Sequence, residues 1–341
     1  MKQVAIGIDI GGTNTVLGLV DQNGNVLAKD YFSTAKYNDI TEYTNKLSGN
    51  INKLLERLSQ IEVNLHIIGI GIGAPNANYY SGTIEHAPNL SFKGVIPFVS
   101  LLKEKFPYIQ TITLTNDANA TAIGEMLFGG AIGMRNFVMY TLGTGVGSGL
   151  VVNGNLVYGQ DGFAGECGHT MLIPNGRLCG CGVRGHLEAY CSATGMKRTA
   201  FELLAKYNPS DSLLANYTYK QLQAKNIYDA AIQGDAVALE VFRLTGYWLG
   251  IGLANTVHHL SPEAIFLFGG PVSSGELLIK PTVESLERHL LPVFRQKVKV
   301  LPSQLNCGDA AILGASALAW KELNLPQFFL VSNIREPKTK N

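Results

Sequence analysis

The sequence predicts an α/β fold made of two related domains. A strand pattern followed by a glycine cluster occurs at the start of the chain and again in mid-chain: residues 4–10 lead to Gly11-Gly12-Thr13, and residues 137–141 lead to Gly143-Thr144-Gly145. The similar phrases GLVDQNGNVL and GLVVNGNLV follow, and each contains an Asn-Gly hairpin signal. Helical patterns separate the strand patterns. An internal duplication explains this order, and a coincidence between two hairpins is the alternative.

The other segments fit the same α/β pattern. Strand patterns lie at 4–10, 16–20, 26–27, 66–72, 111–114, 137–141, 149–152, 156–157 and 264–268. Helical patterns lie at 47–58, 118–128, 227–260 and 310–323. We expect residues 1–117, with about 310–325, to form a small N-terminal domain. Residues 118–309 are expected to form a larger domain, and residues 326–341 a polar C-terminal tail.

The composition indicates a cytoplasmic protein with neither a nucleic-acid nor a membrane surface. Of the 341 residues, 46% are hydrophobic, and the net charge is only +1. The start MKQVAIGIDIGG has neither the basic region nor the cleavage site of a signal peptide, and no apolar run reaches the length of a membrane helix. In a reducing compartment we expect the cysteines to be buried thiols, metal ligands or redox groups rather than disulfides. The five cysteines are Cys167, Cys179, Cys181, Cys191 and Cys307.

The glycine clusters have the properties of phosphate-binding loops. Glycine lets backbone N–H groups approach phosphate oxygens, and Thr13 adds a hydroxyl donor. Asp9, at the end of the first strand, is suited to hold Mg²⁺ directly or through water. An ordinary hairpin turn is the alternative for the first cluster alone. Gly11-Gly12-Thr13 and Gly143-Thr144-Gly145 together predict a clamp for a nucleoside triphosphate. Gly269-Gly270 is equally consistent with an adenine or ribose contact and with a plain turn.

Asn116 and Asp117 stand where a strand pattern ends and a helical pattern begins. Both residue types are good helix N-caps, so capping is one interpretation. A carboxylate at a strand end can also accept the proton of an attacking hydroxyl in phosphoryl transfer. The sequence therefore leaves capping and general-base catalysis open for Asp117.

A cluster of cysteine and histidine residues predicts a structural zinc site. The motifs are GECGH at 165–169, CGCG at 179–182 and GHLE at 185–188. Two thiolates and two imidazoles form a suitable tetrahedral Zn²⁺ set, and the adjacent glycines let the chain fold tightly around a metal. A disulfide between Cys179 and Cys181 would be strained.

These motifs together resemble those of the ROK sugar kinases, a branch of the actin-like ATPase superfamily. The matching motifs are DIGGT at 9–13, NDAN at 116–119, LGTGVG at 142–147, GECGH at 165–169 and CGCGVRGHLE at 179–188. The resemblance implies two RNase H-like domains flanking an active-site cleft. It also implies ATP with Mg²⁺ as phosphate donor and a hexose as acceptor. The implied sugar contacts are Asn89, Asn116, Asp117, Glu166, His169 and Glu188.

Two positions depart from the family pattern. His186 stands where the family usually has a third cysteine. We therefore expect the zinc ligands to be His169, Cys179, Cys181 and His186, with Cys167 or Cys191 as the alternative fourth ligand. Asn76 stands where the family usually has a glycine after the proline of the sugar loop. Asparagine tolerates the left-handed backbone, so we expect the loop to be retained and the Asn76 side chain to border the sugar pocket.

The resemblance predicts an ATP-dependent hexose kinase in which Asp117 deprotonates the sugar 6-hydroxyl. Glucose is the expected acceptor. N-acetylglucosamine or N-acetylmannosamine is the alternative, mannose is a further one, and polyphosphate stays open as a donor. We expect sugar binding to drive domain closure, and the apolar helices near 240–260 favour a homodimer.

Three other classes of protein fit the sequence less well. A sugar-sensing repressor would need a DNA-binding domain before the first glycine loop, and only eight residues precede Asp9. An inactive sugar-binding protein is disfavoured because Asp9, Asp117 and Glu166 are all present. The cysteine-histidine cluster disfavours an actin-like ATPase without a sugar substrate.

Overall fold

The structure is a computed structural model that describes residues 2–60, 65–207, 210–306 and 308–324. The strand and helix patterns of the sequence appear in it as strands and helices, except that the one helical pattern at 227–260 forms two helices, Ala224–Ala231 and Ala236–Leu260. The strands are β1 Lys2–Ile10, β2 Asn14–Asp21, β3 Val26–Ser33, β4 Leu65–Gly73, β5 Ala77–Asn78, β6 Thr83–Glu85, β7 Val95–Ile96, β8 Ile112–Thr115, β9 Phe137–Leu142, β10 Val146–Val152, β11 Asn155–Leu156, β12 Ala264–Phe268 and β13 Lys299–Pro302. The helices are α1 Ile40–Ser59, α2 Phe98–Lys105, α3 Asp117–Phe128, α4 Glu188–Cys191, α5 Ala193–Tyr207, α6 Ala224–Ala231, α7 Ala236–Leu260, α8 Glu276–His289 and α9 Ala310–Asn324. Cys307 and the predicted tail at 326–341 lie outside the described residues.

The chain divides into two units. The first comprises the described parts of 1–120 and 308–341, and the second those of 121–307. The division falls inside α3, between Ala120 and Thr121. Each unit contains its own cluster of buried apolar side chains.

The first unit is built on a five-stranded sheet with the order β3-β2-β1-β4-β8. The hairpin strands β1, β2 and β3 are antiparallel, whereas β1, β4 and β8 run parallel. Helix α9 lies so close to this sheet that a Cβ on Gly7 or Gly71 would meet its backbone. A small antiparallel sheet of β5, β6 and β7 is an addition that the sequence did not reveal.

The second unit repeats this topology. Its sheet has the order β11-β10-β9-β12-β13, again with an antiparallel hairpin half and a parallel half. The predicted internal duplication is therefore confirmed at the level of sheet order and strand direction.

Helix α7 is the long apolar helix of the second unit. By length and composition it alone, among helices in the described ranges, could cross a membrane, but 56% of its apolar window is buried. It packs on α8, where Gly246 and Gly250 leave room for the α8 backbone. These features are typical of a core helix in a globular unit.

Candidate active site and metal centre

The parallel strands of the first unit bring Asp9 and Asp117 to the same edge of the sheet. Asp9, at the end of β1, pairs in register with Gly73 of β4, and Gly73 pairs with Thr115 of β8. Asp117 follows two residues after Thr115 and begins α3. A Cβ on Gly73 would lie 3.4 Å from Asp9 Oδ1 and 3.5 Å from the Asp117 Cα. Gly73 therefore lies between the two acids, in contact distance of both.

Both carboxylates are more basic than usual. Burial, and then the charge of Asp117, raises the pKa of Asp9 to about 7. Asp117 is an exposed residue, yet the surrounding protein desolvates its carboxylate and raises its pKa, a shift that the Ala118 N–H partly opposes. A carboxylate with a raised pKa is a better proton acceptor.

Capping of α3 does not require Asp117. The Ala118 N–H donates to Asn116 Oδ1 at 2.9 Å and to Asp117 Oδ1 at 2.8 Å. Asn116 directly precedes the helix and has the side-chain geometry of an N-cap. The cap interpretation therefore fits Asn116, and Asp117 stays a candidate for the general base.

The first glycine loop packs against the segment that contains Asn89. The Gly11 N–H donates to the Asn14 carbonyl at 3.0 Å and closes the turn that exposes Thr13. A Cβ on Gly12 would lie 2.5 Å from the Asn89 carbonyl oxygen. Lys93 Nζ donates to two carbonyls just before Asn89 and so holds this segment in place. The loop and the predicted sugar contact thus lie beside each other.

Asn76 has the left-handed backbone that the sequence predicted, with φ of 50°. It is exposed, and its side-chain amide donates to the Glu85 carbonyl at 3.1 Å. Part of its hydrogen-bonding capacity is therefore used within the small sheet.

The second glycine loop lies at the beginning of α5. The Gly143 carbonyl accepts from the Ala193 N–H at 2.8 Å, and the Thr144 carbonyl accepts from the Thr194 hydroxyl at 3.1 Å. Gly269 has φ of 114°, and a Cβ there would lie 2.1 Å from the Leu142 carbonyl oxygen. The turn at Gly269-Gly270 therefore packs against the strand that leads into Gly143-Thr144-Gly145.

Glu188 links this loop to the cysteine-histidine cluster. Its Oε2 accepts the Val146 N–H at 3.0 Å, and a Cβ on Gly145 would lie 2.4 Å from the same oxygen. Its Oε1 lies 3.1 Å from Cys179 Sγ. Sequence spacing gave no sign of this double contact, because Gly145 and Glu188 are far apart in the chain.

The GECGH segment is fastened to β10. Ser148 Oγ donates to the Gly165 carbonyl and accepts the Cys167 N–H. A Cβ on Gly168 would collide with the Val146 carbonyl. This packing leaves Glu166 exposed, with its Oε2 4.0 Å from His169 Nε2.

The predicted metal ligands converge. One donor atom each from His169, Cys179, Cys181 and His186 lies within 4.8 Å of the other three. His169 Nδ1 is 3.8 Å from Cys179 Sγ, and His186 Nδ1 is 3.2 Å from Cys181 Sγ. Two sulfur and two imidazole nitrogen donors at this separation fit a tetrahedral Zn²⁺ ion.

The alternative fourth ligands do not belong to this group among the residues that the structure covers. Cys191 is buried, with its Sγ against the Thr245 carbonyl, and Cys167 packs on the core of the second unit. His186 is the candidate that geometry favours.

The predicted site residues thus form two groups. The first unit brings together Asp9, Gly11, Gly12, Thr13, Asn89, Asn116 and Asp117. The second unit brings together Gly143, Thr144, Gly145, Glu166, His169, Glu188, Gly269 and Gly270.

Two units of one topology, each with a glycine loop after its first strand, have the actin-like ATPase fold. The profile of the ROK family matches residues 5–322, and the chain belongs to this family. A glucokinase of Halalkalibacterium halodurans is 35% identical over 323 residues, which are 94% of this chain and 96% of the relative.

Solved structures and regulators of the family are also similar. The crystal structure of a ROK family glucokinase from Streptomyces griseus in complex with glucose and AMPPNP has 31% identity and a TM-score of 0.76. The match covers 93% of this chain and 99% of that chain. A xylose repressor of Bacillus spizizenii is 29% identical over 92% of this chain and 76% of its own length.

Proposed function

We propose that this protein is an ATP-dependent hexose kinase that transfers the γ-phosphate to the 6-hydroxyl of glucose. The observation that carries the proposal is the placement of Asp117, a carboxylate with a raised pKa, beside Asp9 and the first glycine loop. The similarity to glucokinases over nearly the whole chain supports glucose as the acceptor.

In the proposed reaction, Asp117 accepts the proton of the sugar 6-hydroxyl. The hydroxyl oxygen forms a bond to the γ-phosphorus while the bond to the β–γ bridging oxygen breaks, and ADP leaves. Asn89, Asn116, Glu166, His169 and Glu188 are proposed to hold the other sugar hydroxyls.

The glycine loops and the cations have supporting roles in this proposal. Backbone N–H groups at 11–13 and 143–145 are proposed to bind the phosphates, with Gly269-Gly270 near the nucleoside. Asp9 is the proposed ligand, directly or through water, of the Mg²⁺ that accompanies ATP and offsets the charge on the phosphates. The Cys/His group would hold a structural Zn²⁺ and keep His169 in one orientation. We also propose a cytoplasmic homodimer.

A regulator without catalysis is the second candidate, because the xylose repressor is similar over most of this chain. The Asp9–Asp117 arrangement favours the kinase, since a regulator has no need of two acids with raised pKa values. Release of ADP that depends on added sugar distinguishes the two functions, and a panel of glucose, mannose, N-acetylglucosamine and N-acetylmannosamine identifies the acceptor.

The substitution Asp117→Asn tests the mechanism. We expect it to lower kcat by about 10²–10⁴-fold, because the general base is lost, while glucose still binds. Coupled-assay kinetics and calorimetric titration of glucose measure the two quantities.

The control is Asp229→Asn, which makes the same chemical change at an exposed ion pair with Lys225 and should leave kcat unchanged. Turnover of the Asp117→Asn variant at the wild-type rate would show that Asp117 is not the base.

A further inference from the structure

Arg177 lies in the chain segment between the metal-ligand candidates His169 and Cys179, and nothing in the proposed reaction uses it. Cys179 and Cys181 are at the tip of a short hairpin, closed by the Cys179 N–H donating to the Val183 carbonyl at 2.9 Å. At its base the Arg177 carbonyl accepts the Gly185 N–H at 2.8 Å. Arg177 thus lies at the base of the hairpin, where the hairpin joins the rest of the second unit.

The Arg177 side chain is unusually well held for an arginine. Its guanidinium carbon lies 4.8 Å from the ring centroid of Tyr190 and 4.9 Å from that of Trp248. Nη1 donates to the Thr199 hydroxyl at 3.0 Å and is within hydrogen-bond distance of the carbonyls of Ala189 and Gly195. The side chain is only 11% exposed. Cation–π contacts strengthen when they are desolvated in this way.

These contacts fasten the hairpin to the helix that carries Glu188. Ala189 and Tyr190 directly follow Glu188 in α4. The Tyr190 hydroxyl also accepts the backbone N–H of Arg177 at 2.8 Å. One residue therefore holds both the base of the hairpin and the helix of a predicted sugar contact.

We propose that Arg177 is a positioning residue that sets the metal ligands Cys179 and Cys181 against Glu188. This proposal rests on the proposed zinc site and on the proposed role of Glu188 in sugar binding. Lysine cannot replace arginine here, because it lacks the planar group that stacks on two rings and the several fixed donors.

The test compares Arg177→Lys with Glu202→Gln in the full-length protein. Glu202 pairs with Arg177, but its side chain is 60% exposed, so the pair itself should contribute little. We expect Arg177→Lys to lower zinc affinity about 10–100-fold, the range typical of residues that orient metal ligands, and to release zinc to a chromogenic chelator faster than wild type. Glucose affinity, measured by calorimetry without nucleotide, should fall about tenfold or more, and the KM for ATP should change much less. Glu202→Gln should match wild type in all three.

The outcomes separate this inference from the function on which it rests. A wild-type protein that neither contains nor takes up zinc overturns the metal centre itself. A zinc-loaded wild type whose Arg177→Lys variant keeps the wild-type release rate and glucose affinity overturns the role of Arg177, even if its melting temperature is lower. Should the lysine variant not fold, Thr199→Val removes one hydrogen-bond acceptor of the guanidinium. The Thr199→Val variant should then release zinc faster than wild type, by a smaller factor than is expected of Arg177→Lys. An unchanged release rate would contradict the proposal.

Discussion

Asp9 and Asp117 approach each other across a glycine that leaves no side chain between them. Burial disfavours the charged form of Asp9 and the nearby charge of Asp117 adds to this effect, so the folded protein favours keeping a proton on Asp9. Such a pair reduces the stability of the folded state, so its presence indicates a functional role. A Mg²⁺ ion at this position would offset the repulsion between the two carboxylates.

The first prediction is that Asp9→Asn stabilises the ligand-free protein at neutral and alkaline pH. The pKa of Asp9 is raised from 3.8 to about 7, so between these values the folded state binds a proton that the unfolded chain has released. Stability is therefore lost as the pH rises through this window. We expect the free energy of unfolding of Asp9→Asn to exceed that of wild type by on the order of 1–4 kcal/mol at pH 8, and by clearly less at pH 5. Urea unfolding without added Mg²⁺ or nucleotide measures it.

Asp21, in the same unit, provides a control in which the expected change in the free energy of unfolding has the opposite sign. Burial acts to raise its pKa, but hydrogen bonds from Asn25 and Asn23, with the nearby Lys2 charge, outweigh burial and lower it. Asp21→Asn should therefore destabilise the protein, and the loss should shrink in acid below the usual carboxyl range. A gain from Asp9→Asn that is equal at pH 5 and pH 8 would contradict the interpretation of the acid pair.

Among the elements, periodicity predicted most of the long strands and helices, but it did not predict α5, α8 or several of the short strands. Strands β5, β6 and β7 have two or three residues each, too few for an alternating pattern. Helix α8 contains Pro281, which normally interrupts a helix, and Gly246 of α7 makes room for its ring. Spacing and family resemblance identified the candidate site residues. The contact between Gly145 and Glu188 could not be located this way, because it depends on how distant segments pack.

The second prediction concerns that contact. A methyl group added by Gly145→Ala would lie 2.4 Å from Glu188 Oε2 and would displace the carboxylate. Glu188 would lose its hydrogen bond from Val146, and hydrogen bonds to charged groups contribute about 1.5–3 kcal/mol. Since Glu188 is a proposed sugar contact, we expect weaker glucose binding, by about 10-fold or more, in calorimetry without nucleotide.

Gly143→Ala is the matched control in the same loop, because a Cβ there meets nothing within 4 Å. It should leave glucose affinity close to wild type, whatever it does to ATP. Equal glucose affinities for the two variants would show that Gly145 does not position Glu188.

At the scale of the whole molecule, the first unit is assembled from the two ends of the chain. Helix α9 packs on β1 and β4, and the entire second unit lies between them in sequence. A Cβ on Gly71 would lie 1.9 Å from the Ala315 carbonyl, so glycines in the strands allow the helix backbone to rest on the sheet. Contacts of such long sequence separation form late and slowly in folding. The sequence shows these glycines but not which helix they accommodate.

The last prediction is that the close approach of α9 to β4 stabilises the first unit. Gly71→Ala would force α9 away from β4, and we expect it to lower the free energy of unfolding by about 1–3 kcal/mol, the usual range for overpacking. Gly49→Ala is the control: Gly49 lies within α1, a Cβ there meets nothing within 4 Å, and alanine in a helix should stabilise by about 1 kcal/mol or less. Denaturant unfolding gives both values, and hydrogen exchange shows whether the α9 amides are the ones that lose protection in Gly71→Ala.

If both variants are as stable as wild type and the α9 amides stay protected, the contact between Gly71 and α9 does not limit the stability of the unit. If Gly71→Ala instead loses protection throughout the first sheet, α9 is required for the sheet itself, because the loss is then global to the unit rather than confined to one helix.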